Sequence, residues 1–593
     1  MEFEEATDGQ PLPVKHKKHV AYKWIALSNT TIGVLLSATT GNIVLISLPA
    51  IFRGMNVNPL SPGGANYMLW MLMGFTVVTA TLLVTLGRLS DIFGRVRLYN
   101  LGFAIFTLAS ILLYFTPSSN GTEMTVGPFH WASTASFSGG TGLTIMIIFR
   151  LLQGVGAGFL FANSMAIITD AFAARERGMA MGLNQIASIG GTLLGLILGG
   201  ILAAIDWRLV FLVSVPIGLF GTIWAYVKLR EQTKPERGQK IDWVGNATFA
   251  IGLTVLLLAL TQGIQPYKNS NMGWESPMVI GGIALGVVFL VAFVFIELHV
   301  KMPMFHLQLF KIRQFACGNI SLFLSSVARG GLQFILIIWL QGVWLPLHGY
   351  SFESTPLWSG IYMLPMTAGF FIMGPLCGRL SDKYGARGFA TGGMVMSMVG
   401  FLLLNLLPTN FGYVPFFFIL LMLGFGMGMF AAPNTSAVMN SVPPTQRGAV
   451  SGMRATFQNT GMSLSMALYF TILIIGLSHH LPGVLSANLV QAGVPAAEAT
   501  QIANMPPTSA LFAAFLGYNP MQSLLPADVM TSLPTATQQV LTSTHFFPQA
   551  IAPAVMSSLH YAFYISAALS AIAAVISYLR GGKFVYTESD LVR

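Results

Sequence analysis

The residues of this chain that could do chemistry are few, and most are charged groups at the ends of apolar stretches. Gly-Arg-Leu-Ser-Asp occurs twice, at Gly87 to Asp91 and at Gly378 to Asp382, 291 residues further on. Each copy runs into a glycine and basic residues: Gly94-Arg95-Val96-Arg97 in the first, Gly385-Ala386-Arg387 in the second. Gly87 and Gly94 allow a sharp turn and close approach, while Asp91 offers a carboxylate to a neighbouring helix N-terminus or to an arginine. Arg95 and Arg97 can pair with that carboxylate or with Asp170, which ends another apolar stretch. Ion pairs of this kind form and break without covalent chemistry, as a gate requires; the simpler use is a basic loop that sets topology.

Two arginines stand inside apolar stretches instead. Arg150 has no carboxylate in its own stretch, and an arginine there is costly unless it faces the protein interior or a water-filled cavity. It must find carbonyls, polar side chains or a ligand, as part of proton coupling or a cavity wall, or else pin its helix to the first one. Gln153 follows it within one turn. Arg329 lies about 14 residues, hence roughly 20 Å, into its stretch. Facing a cavity it would repel cations and recruit anions; near an interface it would only snorkel. The twenty acidic residues can all be placed in loops, tails or the ends of stretches. No histidine pair has metal-ligand spacing inside a stretch and no phosphate-cradling loop is present, so neither an enzyme, a cofactor, a bound metal nor direct use of ATP is expected.

Charges so placed need a scaffold dissolved in lipid. With 593 residues, 54% hydrophobic and 8% charged, the chain is too apolar for water. A span takes roughly 20 apolar residues whose backbone bonds to itself, so long apolar runs read as helices. Fourteen such runs, helices 1 to 14, are expected at about 25–50, 67–87, 98–115, 142–166, 178–203, 208–228, 243–262, 278–298, 315–343, 356–378, 389–407, 413–438, 448–476 and 556–579. The prediction is an all-α polytopic membrane protein. Its net charge of +10 reflects Lys and Arg gathered on the cytoplasmic face, with both termini inside, and not nucleic-acid binding. Cys317 and Cys377 have no partner in an external loop, so no structural disulfide is expected. The first 23 residues lack the form of a cleavable signal peptide, and helix 1 is expected to direct insertion.

Threaded this way, the two Gly-Arg-Leu-Ser-Asp copies join helices 2 and 3 and helices 10 and 11 on one face of the membrane. A second match, Arg177-Gly178, Gly182 and Gly191 against Arg447-Gly448, Gly452 and Gly461, holds at a constant offset of 270. Helices 1 to 6 and 9 to 14 are thus two related bundles, with helices 7 and 8 inserted. The expected order is a tail (1–23), the first bundle (24–228), a basic linker with the inserted pair (229–312), the second bundle (313–580) with an external loop at 477–555, and a tail (581–593). That loop has no Lys or Arg and is expected to rest short amphipathic helices on the bundle. Pro506, Pro507, Pro520, Pro526 and Pro534 argue against two further spans there.

Gly87 to Arg97 resembles the hallmark motif of the major facilitator superfamily, with Ile92 where a basic residue usually follows the aspartate. Arg150-Leu151-Leu152-Gln153-Gly154-Val155-Gly156-Ala157-Gly158 is similar to its helix 4 arginine motif. Gly191, Gly195, Gly199 and Gly200 fall in a run similar to the antiporter motif of helix 5, with Leu196 in place of the usual proline. Fourteen helices, Trp207-Arg208 opening helix 6, and Gln341 before Gly349-Tyr350 resemble the fourteen-helix drug:proton antiporter family.

The resemblance implies two six-helix bundles rocking about a central site, and a monomeric carrier in a bacterial inner membrane exporting small amphipathic drugs or metabolites, with protons as the coupling ion. It implies a cytoplasmic latch of Asp91, Arg95 and Asp170 that holds the outward-facing state and breaks on opening inward. Many members carry an acid about nine residues before the Leu-Pro closing helix 1; Leu48-Pro49 puts Thr40 there. Coupling would then run through Asp91, Asp170 or another peripheral acid, or the chain is a proton-independent exporter or facilitator, or a receptor on the same scaffold. Polar residues available to a cavity are Thr39, Thr40, Asn42, Asn163, Asn184, Gln185, Asn434, Gln458 and Asn459, some of which will hold helices together instead. Trp339, Trp344, Trp358 and Tyr362 are expected in an interfacial belt.

Overall fold

The computed structural model describes residues 16–57, 64–120, 123–126, 129–132, 139–172, 176–232, 242–263, 265, 267–268, 270, 272–300, 305, 307–443 and 447–582. Among them fourteen helices are long and apolar enough to cross a membrane. In chain order they are helix 1 (His16–Gly54), 2 (Gly64–Phe93), 3 (Arg95–Tyr114), 4 (Gly139–Ala171), 5 (Arg177–Ile205), 6 (Leu209–Lys228), 7 (Trp243–Gly263), 8 (Pro277–His299), 9 (Arg313–Leu347), 10 (Thr355–Ser381), 11 (Ala386–Leu404), 12 (Tyr413–Asn440), 13 (Arg447–Gln491) and 14 (Phe546–Leu579).

Helix 1 lies along helix 5, helices 2 and 3 flank helix 4, and helix 6 closes on helices 1 and 3. The second bundle repeats the scheme, with helices 10 and 11 flanking helix 12, and helices 9, 13 and 14 packed together. Helices 7 and 8 pair with each other, and helix 7 touches helices 2 and 13. Phe305, just after helix 8, joins Phe249 and Phe293 of that pair to Phe457 of helix 13. The repeated hairpins share their backbone: Gly94 has φ 104° and Gly385 φ 86°, each immediately before a helix start. A side chain is strained there, so the glycine spacing of the motif is a folding requirement. Gly87 meets Ala162 of helix 4 and Gly378 meets Ala432 of helix 12, the same packing made twice.

Helix 9 is not continuous. It runs from Arg313 to Arg329, breaks at Gly330-Gly331, resumes from Leu332 to Trp339, and widens into a π turn at Leu340–Trp344. Backbone groups released inside a membrane need new partners, and helix 13 supplies them. Gly331 N–H donates to Ser465 Oγ (2.8 Å), Ser465 Oγ donates to the Val327 carbonyl (2.5 Å), and the Tyr469 hydroxyl donates to the Ala328 carbonyl (2.6 Å). Tyr469 also meets Ser566 of helix 14.

Helix 13 continues to Gln491 and helix 14 begins at Phe546, so the loop between them is shorter than the expected 477–555. The cause is a stripe at fourfold spacing, Leu477, Leu481, Leu485 and Leu489, each fully buried. The loop holds five short helices, each entered directly after a proline: Pro495, Pro506, Pro520, Pro526 and Pro534. Proline's fixed φ suits a helix start. One of them, Pro507–Leu516, is buried along its length against helices 1, 9 and 13. The polar loop after helix 3 carries a small antiparallel sheet, β1 (Ser118–Asn120), β2 (Glu123–Val126) and β3 (Phe129–Ala132), in which Ser118 faces Thr125 and Val126 faces Phe129.

Candidate functional site

The two bundles meet along a seam, and the contacts across it are uneven. Call the end with Gly94 and Gly385 the hairpin end, and the end with the five short helices the loop end. Asn42 of helix 1 donates to the Ala38 carbonyl (2.8 Å) and to Thr192 Oγ1 of helix 5 (3.4 Å), while its Oδ1 accepts from Gln333 Nε2 of helix 9 (3.0 Å). Gln341, in the π turn, donates to the Ile46 carbonyl (3.3 Å) and to Ser359 Oγ of helix 10 (2.8 Å). Arg53 donates to the Leu516 carbonyl (3.2 Å). Among the described residues, every hydrogen bond that passes from one bundle to the other lies in this loop-side half. On the hairpin side, the equivalent Gly182 and Gly452 each have no atom within 4 Å of where a side chain would begin.

Glycines of helix 5 have two separate jobs. Gly191, Gly195 and Gly199 lie along helix 1, where an added Cβ would fall 2.6, 2.5 and 2.9 Å from the carbonyl oxygens of Leu35, Thr39 and Ile43. Gly200 instead faces across the seam onto the Leu357 backbone, and Gly360 of helix 10 faces the Leu196 carbonyl in return. Leu196, the residue standing in for a proline, is therefore part of the seal.

Arg150 is 1% exposed. It donates to Gln153 Oε1 (2.6 Å), Gln153 donates to Ser110 Oγ of helix 3 (2.9 Å), and the guanidinium lies 4.6 Å from the centre of the Phe75 ring of helix 2. It joins helix 4 to helices 2 and 3, and not to helix 1, which was the alternative to a coupling or cavity role. Thr40 is also turned away from the seam, bonded to the Leu36 carbonyl (2.9 Å) and to Ser214 Oγ of helix 6 (3.0 Å). Asn163 and Asn184 bind the Phe159 carbonyl and Ser164 Oγ inside the first bundle. Gln185 is exposed, and Gln458 and Asn459 are half-buried, Asn459 donating to the Ala455 carbonyl (2.8 Å).

Asn434 binds helices together rather than lining the seam. It donates to the Gly318 carbonyl of helix 9 (3.0 Å) and accepts from Arg580 Nη2 (2.6 Å) just past helix 14. Replacing it by leucine strips a buried guanidinium of its side-chain acceptor from helix 12. Asn434→Leu is expected to lower stability by about 1.5–3 kcal/mol, the range for hydrogen bonds to charged groups, read as a fall in the melting temperature of purified protein. The aromatic residues also move: Trp339 and Trp344 are 2% and 3% exposed, packed on Phe411 within the second bundle, so they are core and not an interfacial belt. Their signal was the glycine and glutamine of the π turn beside them.

At the hairpin end, Arg95 Nη1 meets Asp170 Oδ1 at 2.6 Å. The side chains of Asp91 and Asp382 lie outside the described residues. Glu231 supplies a carboxylate that the sequence reading missed, accepting from the backbone N–H of Arg95 (2.8 Å) and Val96 (3.1 Å) and so capping helix 3. It lies 136 residues away in a stretch read only as linker, where an acid directly after the basic end of helix 6 was the available clue. Tyr22 holds that stretch through the Arg230 carbonyl (2.6 Å), and Lys23 pairs with Glu176 (2.7 Å).

Arg329 is half-buried at the break of helix 9; Gly330 and Gly331 keep right-handed helical dihedrals there, which puts Arg329 about one turn before Gln333. Its Nε is buried without a hydrogen-bond partner, and among the described residues no carboxylate lies within salt-bridge distance of it.

Two helical bundles joined around a polar seam, with the described hydrogen bonds across it gathered toward one end, have the frame of a membrane transporter. Residues 30–263 and 245–466 each match the model of the Major Facilitator Superfamily, and the chain belongs to that family. It is similar to the riboflavin transporter RibZ of Clostridioides difficile (28% identical, covering 77% of this chain and 90% of that one). It is likewise similar to the multidrug transporter protein MdtP of Bacillus subtilis (26%, 93% and 92%) and the multidrug resistance protein Stp of Mycobacterium tuberculosis (28%, 77% and 76%). Among solved structures it shares its fold with a bacterial homologue of the lysosomal transporter Spinster (TM-score 0.52, 14% identical, 96% of this chain and 99% of that one). The same holds for a D-xylose-proton symporter (TM-score 0.51, 14%, 83% and 97%).

Proposed function

We propose that this chain exports small amphipathic compounds across a bacterial plasma membrane by alternating access, as a monomer, with the hairpin end and both termini in the cytoplasm. The observation that carries this reading is the uneven seam: Asn42, Gln333, Gln341 and the reciprocal glycines hold one end together, while among the described residues no hydrogen bond joins the bundles at the other. The names of the relatives, riboflavin and multidrug transporters, support flat or amphipathic cargo. Protons are the proposed counter-ion, carried by acids at the hairpin end. A proton-independent exporter is the second reading, and it has its own observation: Thr40, where an acid would serve, is committed to Ser214.

Reconstituted protein decides between them by dye efflux from liposomes with and without a pH gradient. Efflux accelerated by the gradient supports antiport; efflux indifferent to it leaves export without proton coupling; no efflux of any dye sinks the transport reading. Asp91 is proposed to act with Arg95 and Asp170 in the hairpin-end latch. Asp91→Lys is expected to cut efflux at least about tenfold, by opposing like charges at Arg95, with unchanged yield of folded protein in the membrane. Normal efflux by this variant would remove Asp91 from the latch.

A further inference from the structure

Among the described residues, the charges deep inside the spans are arginines, with Glu297 buried close to the end of helix 8. Arg150, Arg329 and Arg454 lie within helices 4, 9 and 13, while the described acids nearest the first bundle, Asp170, Glu176 and Glu231, sit at the hairpin end and are engaged there. Arg150 is engaged by Gln153 and the Phe75 ring, although its Nε, like that of Arg329, has no hydrogen-bond partner. Arg454 faces another cation, Arg580, which is held by Asn434 and Ser577 inside the second bundle. Among the described residues, Arg329 alone combines three properties: a place beside the seam, a fixed backbone position, and no intramolecular acceptor.

The place follows from Gln333: Gly330 and Gly331 keep right-handed helical dihedrals through the break, so Gln333 comes about one turn after Arg329, and it reaches Asn42 on the opposite bundle. The fixed position follows from the break, since Gly330 packs on Met462, and Ser465 and Tyr469 hold the carbonyls of Val327 and Ala328. A guanidinium stays charged at any working pH and presents a fork of donors matched to planar anions. With no described carboxylate within salt-bridge distance of Arg329, a low-dielectric seam favours the binding of anions over that of cations.

We infer that the substrates are amphipathic anions, with a carboxylate, sulfonate or phosphate group seated on Arg329 and the apolar body along the seam. This rests on the transport reading for its consequence but not for its test. Fluorescein and rhodamine 6G share a xanthene frame and carry opposite charge, so their binding to purified protein in nanodiscs, followed by fluorescence anisotropy, isolates the charge preference. Wild-type protein is expected to bind fluorescein at least about tenfold more tightly than rhodamine 6G, the scale of one charge-assisted hydrogen bond. Arg329→Gln should erase that ratio and Arg329→Lys should keep most of it; because a ratio is read, a misfolded fraction does not imitate the effect.

Equal or tighter binding of rhodamine 6G, or a ratio unchanged in Arg329→Gln, overturns the inference. Efflux of the two dyes from proteoliposomes is the separate arm. Fluorescein preference in binding with no efflux of either dye would overturn transport while leaving the charge assignment standing, and faster efflux of rhodamine 6G would overturn the charge assignment.

Discussion

Gly195→Leu is expected to leave almost no folded protein in the membrane, and Gly195→Ala to lower stability by about 1–3 kcal/mol, the range for overpacking a tight core. The reason is backbone against backbone. A Cβ at this position would fall 2.5 Å from the Thr39 carbonyl and 3.0 Å from Asn42 Cβ, with Gly191 and Gly199 pressed on helix 1 one turn to either side. A carbonyl cannot swing aside as a flexible side chain can, so helices 1 and 5 must separate. Separation would also carry Asn42 away from Thr192 and Gln333, dismantling the seam from within the first bundle. Yield after detergent extraction and monodispersity on gel filtration measure the outcome. Leucine at 195 with normal yield would mean that the helix 1–helix 5 contact is looser than the structure has it.

The fold was largely legible because its evidence is long-range and redundant. Fourteen apolar runs, a pentapeptide repeated at 291 and a glycine pattern repeated at 270 all constrain the same arrangement, so single errors cancel. What escaped was local. The leucine stripe from Leu477 to Leu489 carries helix 13 past the expected end at 476 and through Pro482, because burial against the loop helices outweighs local helix-breaking tendency. The break at Gly330-Gly331 was invisible in a run apolar enough to be one helix, since what permits it is Ser465 and Tyr469, more than 130 residues away.

The site was legible in kind but not in direction. A sequence can place Thr40, Asn163, Asn184 and Asn434 at membrane depth, yet a helix has several faces, and each of these points into its own bundle. Asn42, two residues from Thr40, is turned about 200° around the same helix and reaches the seam. Its partner Gln333 carries no motif, being a single glutamine in an apolar helix; the signal beside it is the Gly330-Gly331 break at the same depth.

Gly200→Val is expected to abolish efflux while leaving folded protein at normal yield, in contrast to the substitution at Gly195. Gly200 and Gly195 lie on one helix and in one motif, but Gly200 presses on Leu357 of helix 10, and its clash would fall between bundles. The bundles can relieve it by rocking apart at the loop end, a rigid-body movement that keeps each core intact. Closure of that end, which needs Leu357 against Gly200 and Gly360 against the Leu196 carbonyl, would be lost, and with it one of the two states of the proposed cycle. Gly360→Val should have the same effect from the other side, and the double variant little more, since both wedges act on one contact. A cysteine at position 42, with Cys317 and Cys377 replaced by serine, reports the opening: an impermeant maleimide added at the loop end should label it at least about tenfold faster when valine is at 200, since a wedge that denies closure shifts the two-state population toward the open form. Retained efflux, or labelling unchanged from the parent, would show that the glycine pair is passive packing and that the seal depends on Gln341 and the Pro507–Leu516 helix instead.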